Sequence, residues 1–326
     1  MNIAILDDEF DTVRTLACYA QVAAHKVTIF RDHTKDTDTL AERLQDAEAI
    51  VLLRERTPIR SALIARLPRL KMLTLNGPYP HVDLDACTAH GVVLCAGKPR
   101  PSSATAELTW GLIICAMRQI PQQMASLKRG TWQCGVGSGL RGRTLGVYGY
   151  GRIGQQVAAF GRVFGMRVLI WSRDSGLATA RADGYSAAKS RQALFEESDV
   201  LSLHVRLNAE TRGMVTAADL ARMKPTALLA NTSRAELIEP GALVAALKAG
   251  RPGLAAVDVF DAEPVTDLQQ PLLNMDNVIC TPHLGYVERD QLERYYADQF
   301  GRVLAFARGS PVDVANPQAL GAAKAS

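Results

Sequence analysis

A strand-like run that breaks into glycines spaced GxGxxG and resumes as a helix leaves a chain few folds to choose from. Residues 144–165 read TLGVYGYGRIGQQVAAFGRVFG. The apolar run ends at Tyr148, Gly149, Gly151 and Gly154 take the fixed spacing, and a helix-period segment follows. Gly149 permits a tight turn, Gly151 lets a pyrophosphate approach the backbone, and Gly154 lets helix and strand pack closely. Free N–H groups at the helix start meet the negative charge of such a ligand. The context predicts a dinucleotide-binding βαβ unit, with Tyr150, Arg152 and Ile153 completing its turn.

The same rhythm runs through the chain. Before the glycine turn, Ile3–Leu6, Ala49–Leu53, Lys71–Leu75 and Val92–Cys95 read as short strands between helical stretches, the pattern of a parallel sheet. GKPRPSS, Gly97–Ser103, carries two prolines and no apolar periodicity, and reads as a crossing between domains. Ala104–Ile120, with Trp110, reads as a buried or interface helix stopped by Pro121. The second half offers strands at Leu145–Tyr148, Val168–Trp171, Val200–Val205, Ala227–Asn231, Ala255–Val259 and Val278–Cys280, six in all and enough for a doubly wound sheet. The Ala-rich tail after Pro317 is expected to fray.

With 326 residues, 48% hydrophobic and 21% charged, the chain has material for two cored domains. A formal net charge of +4, with Lys and Arg dispersed, argues against a nucleic-acid or membrane surface. Six scattered cysteines without a CxxC pair argue against zinc and against a disulfide framework, so no metal is expected. No basic leader or membrane-length apolar run occurs, and the cytoplasm is the expected compartment.

An acidic residue that binds a ribose 2′-hydroxyl is expected about 20 residues beyond the glycine turn. The chain has VLIWSRDSG, with Ser172 at that place, then Arg173, then Asp174. A small residue followed by arginine suits a 2′-phosphate, which tilts the cofactor from NAD toward NADP; Asp174 could restore NAD. Moving a hydride to or from a carbinol carbon also requires a cation for a carboxylate, a proton carrier, and a group that tunes the carrier. Arg234, Glu263 and His283 follow three successive strands, and strand C-termini in an open α/β sheet gather on one edge.

These residues also carry a resemblance. GYGRIG, SDVLSLHVRL, MKPTALLANTSRAEL, AAVDVFDAEP and TPHLG stand in the order found in the D-isomer-specific 2-hydroxyacid dehydrogenases, and residues 49–306 resemble that family. The resemblance implies a Rossmann-like doubly wound parallel sheet (104–288) inserted into a flavodoxin-like α/β substrate domain made of 1–103 and 289–326. It implies that Arg234 holds the substrate's carboxylate, that His283 is the acid/base, and that Glu263 hydrogen-bonds its imidazole. Asp258 would contact the nicotinamide side of the cofactor, His204 would lie near it, and Thr232 and Gly285 join the cofactor contacts. The expected activity is NAD(P)-dependent interconversion of a 2-oxoacid and a D-2-hydroxyacid, in a homodimer paired through the helix that begins near Ala104.

The chain departs from the family at three places. Ala235 replaces a glycine after the NTxR motif, Arg206 replaces a proline, and LNGPYPHVDLDAC replaces a small glycine-rich substrate loop. In that loop Gly77, Tyr79 and His81 are candidate substrate contacts, and His81 reads equally as a surface side chain. Gly77 stands where a phosphite-oxidising branch has lysine, which argues against phosphite. Arg54 is a further substrate candidate, and Arg54 or Arg100 could serve a phosphorylated substrate. Two competing readings are a dinucleotide-sensing corepressor-like protein with little turnover, and a phosphoacceptor receiver domain starting at NIAILDD. The second fails on chain length.

Overall fold

The computed structural model describes residues 1–98 and 102–322, so Arg100 lies outside the described residues together with part of the GKPRPSS segment. The chain divides into two compact units, residues 1–100 with 289–326, and residues 101–288.

The first unit holds a five-stranded sheet of β1 (Asn2–Ile5), β2 (Lys26–Ile29), β3 (Ala49–Val51), β4 (Met72–Asn76) and β5 (Val93–Gly97), in the order β2-β1-β3-β4-β5. All pairings are parallel, and the order reverses between β1 and β3, the flavodoxin-like arrangement. Central strands β3 and β4 are buried along their whole length, which is why they read as unbroken apolar runs. The edge strand β2 alternates exposed and half-buried residues. Its sequence therefore lacks an apolar block that would mark it as a strand. Arg302, from the helix Arg289–Ala307, is buried, pairs with Asp313 at 2.8 Å and lies where a Cβ on Gly97 would sit.

The second unit holds seven parallel strands: β6 (Thr144–Tyr148), β7 (Arg167–Trp171), β8 (Ser186–Ala187), β9 (Val200–Leu203), β10 (Leu228–Asn231), β11 (Leu254–Val257) and β12 (Val278–Cys280). Their order is β12-β11-β10-β9-β6-β7-β8, so the sheet is doubly wound with one strand more than the six expected. The extra strand, β8, is two residues long at an edge and too short for any periodicity to mark it. Alternation divides the side chains between two cores. Val200, Leu228, Ala230 and Ala256 pack on one face with Trp110 and Val157, while Leu201, Leu203, Leu229 and Val257 pack on the other with Phe195 and Leu243.

Two expectations are corrected here and a third is narrowed. The helix from Ala104 ends at Met117, and Pro121 stops nothing: it sits in the first turn of the next helix, Ile120–Lys128, where a missing N–H costs no bond. Of the buried and interface readings of that helix, Trp110 takes the buried one: its ring lies in its own unit's core, donates from Nε1 to the Val157 carbonyl at 3.1 Å and stacks on Phe164. Past Pro317 the chain does not fray at once, since Ala319–Ala322 is helical and Ala319 is buried. All six cysteines are free thiols. Among the described residues no helix is long and apolar enough to cross a membrane.

Candidate active site

Strand register builds the site. Trp171, Tyr148, Leu203, Asn231, Val257 and Cys280 pair successively across β7, β6, β9, β10, β11 and β12, so they form one row over six strands. Because every strand runs the same way, the next residues, Ser172, Gly149, His204, Thr232, Asp258 and Thr281, emerge side by side at the carboxyl edge.

The glycine turn fits a dinucleotide. Gly149 has φ +98°, and a Cβ there would lie 2.5 Å from the His204 carbonyl oxygen. On Gly154 a Cβ would lie 2.1 Å from the Gly149 oxygen, so helix Arg152–Val163 packs on the turn only through glycine. Gly151 differs: nothing lies within 4 Å of its would-be Cβ, and as the helix N-cap it makes no side-chain cap bond. Open space coincides there with the start of a helix, the arrangement that receives a pyrophosphate. The Tyr150 N–H donates to Ser172 Oγ at 3.2 Å, tying the turn to the end of β7. Arg173 is exposed as the N-cap of helix Asp174–Ala182, and Asp174 occupies that helix's first turn, where a carboxylate is favourable.

Beside the turn, His204 shares a 2.8 Å hydrogen bond between Nε2 and Ser202 Oγ, while its Nδ1 is sealed from solvent without a partner. Burial pushes this imidazole down to about 3, so it stands neutral. Thr232 Oγ1 meets Thr109 Oγ1 at 2.8 Å. Asp258 is fully buried, and its carboxylate accepts from Thr281 Oγ1 at 2.6 Å, the Leu284 N–H at 2.7 Å and the Gly285 N–H at 2.9 Å. Burial raises its pKa and these three donors oppose the rise.

Arg234, Glu263 and His283 meet around a hollow of about 210 Å³, which Glu236, Phe260 and Asp261 also line. His283 Nδ1 lies 2.6 Å from Glu263 Oε2, and Glu263 Oε1 accepts the Phe260 N–H at 2.9 Å. Burial alone would raise the Glu263 carboxyl, but the His283 bond, the Phe260 N–H and the Arg234 charge outweigh it and hold the group below its usual value. His283 has φ +54°, a left-handed backbone that costs a non-glycine residue about 1–2 kcal/mol. Its ring meets Tyr286 edge to face at 5.8 Å. Arg234 Nη1 donates to the Ser233 carbonyl at 2.7 Å. Ala235 is absent from the positive-φ positions and opens a 3-10 turn, so the missing glycine causes no strain there.

Asn231 is a residue of the site that strand ends and charge do not single out. Its buried amide donates to the Arg234 carbonyl at 2.8 Å and accepts the Ser233 N–H at 3.0 Å, shaping the turn that presents Arg234. The Asn in NTSR was the available signal.

In the first unit, Arg54 follows β3 with φ +58° and donates its N–H to Tyr295 Oη at 2.9 Å. Gly77 follows β4 with φ +112°, and Tyr79 packs against the first core. His81 is not a surface side chain: it is 6% exposed, both ring nitrogens lack partners, and burial, then Arg60, push it down to about 4. The DD of NIAILDD is also accounted for. Asp7 pairs with His33 Nδ1 at 2.7 Å and accepts from Thr57 Oγ1 at 2.8 Å, and Asp8 accepts the Thr12 and Val13 N–H groups at 2.9 Å. His33 and Thr57 are too remote in sequence to have signalled this contact. No cluster of metal-ligating side chains occurs among the described residues.

Comparison with known proteins adds an independent line. A family model described as "D-isomer specific 2-hydroxyacid dehydrogenase, NAD binding domain" matches residues 110–285. A glyoxylate reductase of Aeropyrum pernix is 34% identical over 283 residues, 83% of either chain. The D-3-phosphoglycerate dehydrogenase of Methanocaldococcus jannaschii is 38% identical over 251 residues, 76% of this chain and 47% of that one, so the chain spans about half the length of that relative. Among solved structures, a phosphoglycerate oxidoreductase from Vibrio cholerae is 46% identical, with TM-score 0.90 over 95% of this chain and 99% of that one.

Proposed function

Because the chain belongs to the D-isomer-specific 2-hydroxyacid dehydrogenase family, we propose that it is an NAD(P)-dependent oxidoreductase interconverting a 2-oxoacid and a D-2-hydroxyacid. The carrying observation is the 2.6 Å bond between His283 Nδ1 and Glu263 in a hollow shared with Arg234. Arg234 pairs with the substrate's carboxylate and orients its carbonyl. Glu263 occupies Nδ1, fixes the tautomer and leaves Nε2 to exchange a proton with the substrate oxygen. The nicotinamide, when bound, supplies or accepts the hydride. His283 gives its proton to the oxygen in reduction and takes it back in oxidation.

Several finer assignments belong to the same reading. Residues 104–288 form the cofactor domain, and 1–103 with 289–326 form the substrate domain carrying Arg54, Gly77, Tyr79 and His81. Ser172 and the exposed Arg173 favour NADP, since no carboxylate occupies the first position after β7. Relatives named for glyoxylate, a 2-oxoacid, and for 3-phosphoglycerate, a 2-hydroxyacid, support a short acid of this pair of classes as substrate. The protein works in the cytoplasm as a homodimer, and the exposed Met124, Leu127, Trp132 and Val136 supply apolar surface for pairing.

The test is initial rates of NADPH and NADH oxidation with glyoxylate, hydroxypyruvate, pyruvate, phenylpyruvate and phosphohydroxypyruvate, alongside His283→Ala. Turnover abolished in the variant is the expected result. Dinucleotide binding without turnover on any acid, or wild-type rates in the variant, would overturn the reading.

A further inference from the structure

The two turns that hold the substrate candidates of the first unit are tied to one residue. Arg54 follows β3, and Gly77, Tyr79 and His81 follow β4. Tyr295, on helix Arg289–Ala307 of the same unit, is buried and bonds to both places. Its hydroxyl accepts the Arg54 N–H at 2.9 Å and donates to the Leu52 carbonyl at 3.2 Å. The Leu52 N–H still reaches the Thr74 carbonyl of β4 at 3.0 Å, so the hydroxyl takes over where the ladder between β3 and β4 ends. It thereby holds Arg54 at φ +58°, a left-handed backbone that a non-glycine residue keeps only where its surroundings impose it. At β4 the Tyr295 carbonyl accepts from Nδ2 of Asn76, the buried last residue of the strand, at 3.2 Å. Gly77 comes next, at φ +112°. Arg302 anchors the same helix separately, donating from Nη1 to the Leu75 carbonyl at 3.4 Å and pairing with Asp313 at 2.8 Å.

We propose that Tyr295 is a positioning residue for substrate binding: its hydroxyl sets the turn that presents Arg54, and its carbonyl sets the strand end that presents Gly77. A cation recognises an anionic group from a fixed place, and a misplacement of about 1 Å in a positioned group can cost up to about 100-fold. The glycine turn belongs to the other unit, so the hydroxyl acts on the substrate and not on the dinucleotide. The inference rests on the reading of Arg54 as a substrate contact given above.

Tyr295→Phe removes the hydroxyl and keeps the ring, its edge contact with Tyr296 and the bond to Asn76. Arg54→Ala and the double variant complete a cycle, because a residue that works through Arg54 has nothing left to position once that side chain is gone. The readouts, in the full chain, are KM and kcat of the best substrate in the panel, NADPH Kd by fluorescence titration, and Tm. Expected are KM rises of at least about tenfold in Arg54→Ala and about fivefold in Tyr295→Phe, a double variant within about twofold of Arg54→Ala, and an NADPH Kd within about twofold of wild type throughout. A KM within about twofold of wild type in Tyr295→Phe, whatever its Tm, overturns the proposal, as do effects that multiply in the double variant or an NADPH Kd weakened about tenfold. Should Tyr295→Phe not fold, Asn76→Ser cuts the other tie and is read by the same KM limits. If Arg54→Ala leaves KM unchanged, the substrate role of Arg54 falls and this inference with it. If Arg54→Ala raises KM while Tyr295→Phe does not, only this inference falls. Absence of turnover on every acid overturns the functional reading and this inference together.

Discussion

Two glycines of one turn should fail in opposite ways when each gains a methyl group. Gly151→Ala places its Cβ where no atom lies within 4 Å, at an N-cap with φ −94°, so the backbone accepts alanine without strain. The cost to folding is limited to a poorer N-cap, at most about 1 kcal/mol. If the turn seats the pyrophosphate as proposed, the methyl takes its space, so NADPH affinity should drop at least about tenfold, or roughly 1.4 kcal/mol. Gly154→Ala meets the Gly149 backbone oxygen at 2.1 Å instead, and backbone cannot rotate aside like a side chain. Overpacking of this kind costs about 1–3 kcal/mol, a fall in Tm of roughly 2–12 °C for a unit of this size. Differential scanning fluorimetry reads the stability and NADPH titration reads the affinity, both on the same samples. Wild-type NADPH affinity in Gly151→Ala would refute the assignment of this turn as the pyrophosphate site; unchanged melting of Gly154→Ala would refute the packing argument.

Glu263→Gln should lower kcat about 10- to 100-fold with little change in KM, measured by steady-state rates. Since the folded state holds Glu263 below its usual 4.5, its stabilising contribution is present above that pH and lost as pH falls through the folded value; acid melts of Glu263→Gln should lose that slope. His81 works on a different range: the unfolded chain protonates near 6.5 while the folded imidazole resists to about 4, so stability declines across that window by up to about 3 kcal/mol. His81→Leu should flatten this decline and raise Tm at neutral pH, because it removes two unpartnered nitrogens worth about 1–3 kcal/mol each, as a pH series of melts would show. Ser172→Asp should shift the NADPH to NADH ratio of kcat/KM toward NADH, and an unchanged ratio would take cofactor selection away from this position.

Central strands and the edge residues beyond them were legible because burial on both faces writes an apolar block into the sequence. The glycine spacing marked where that block turns. Lys26–Ile29 and Ser186–Ala187 were not legible, since edge strands carry half a pattern or too few residues to form one. Of the two readings of His81, the surface one fails because polarity predicts exposure, whereas its burial is decided by the fold around it. Pro121 marks no helix end, because in the first turn of a helix its missing N–H costs no bond and the rule for helix interiors does not hold. The triad's sequence positions follow from strand ends, but the bonds that the Asp258 carboxylate accepts from Leu284 and Gly285 depend on backbone N–H directions that no residue type encodes.

The row from Trp171 to Cys280 makes the site a matter of ruling rather than of reach. A one-residue deletion inside any of these six strands would withdraw one contact by roughly 3.3 Å and turn its side chain to the opposite face, leaving its five neighbours aligned. Loops beyond the row bear no such constraint. Length variation among functional homologues should therefore concentrate on the far side of that line, and a graft of new chemistry onto this sheet would succeed or fail by where along it the new loop begins.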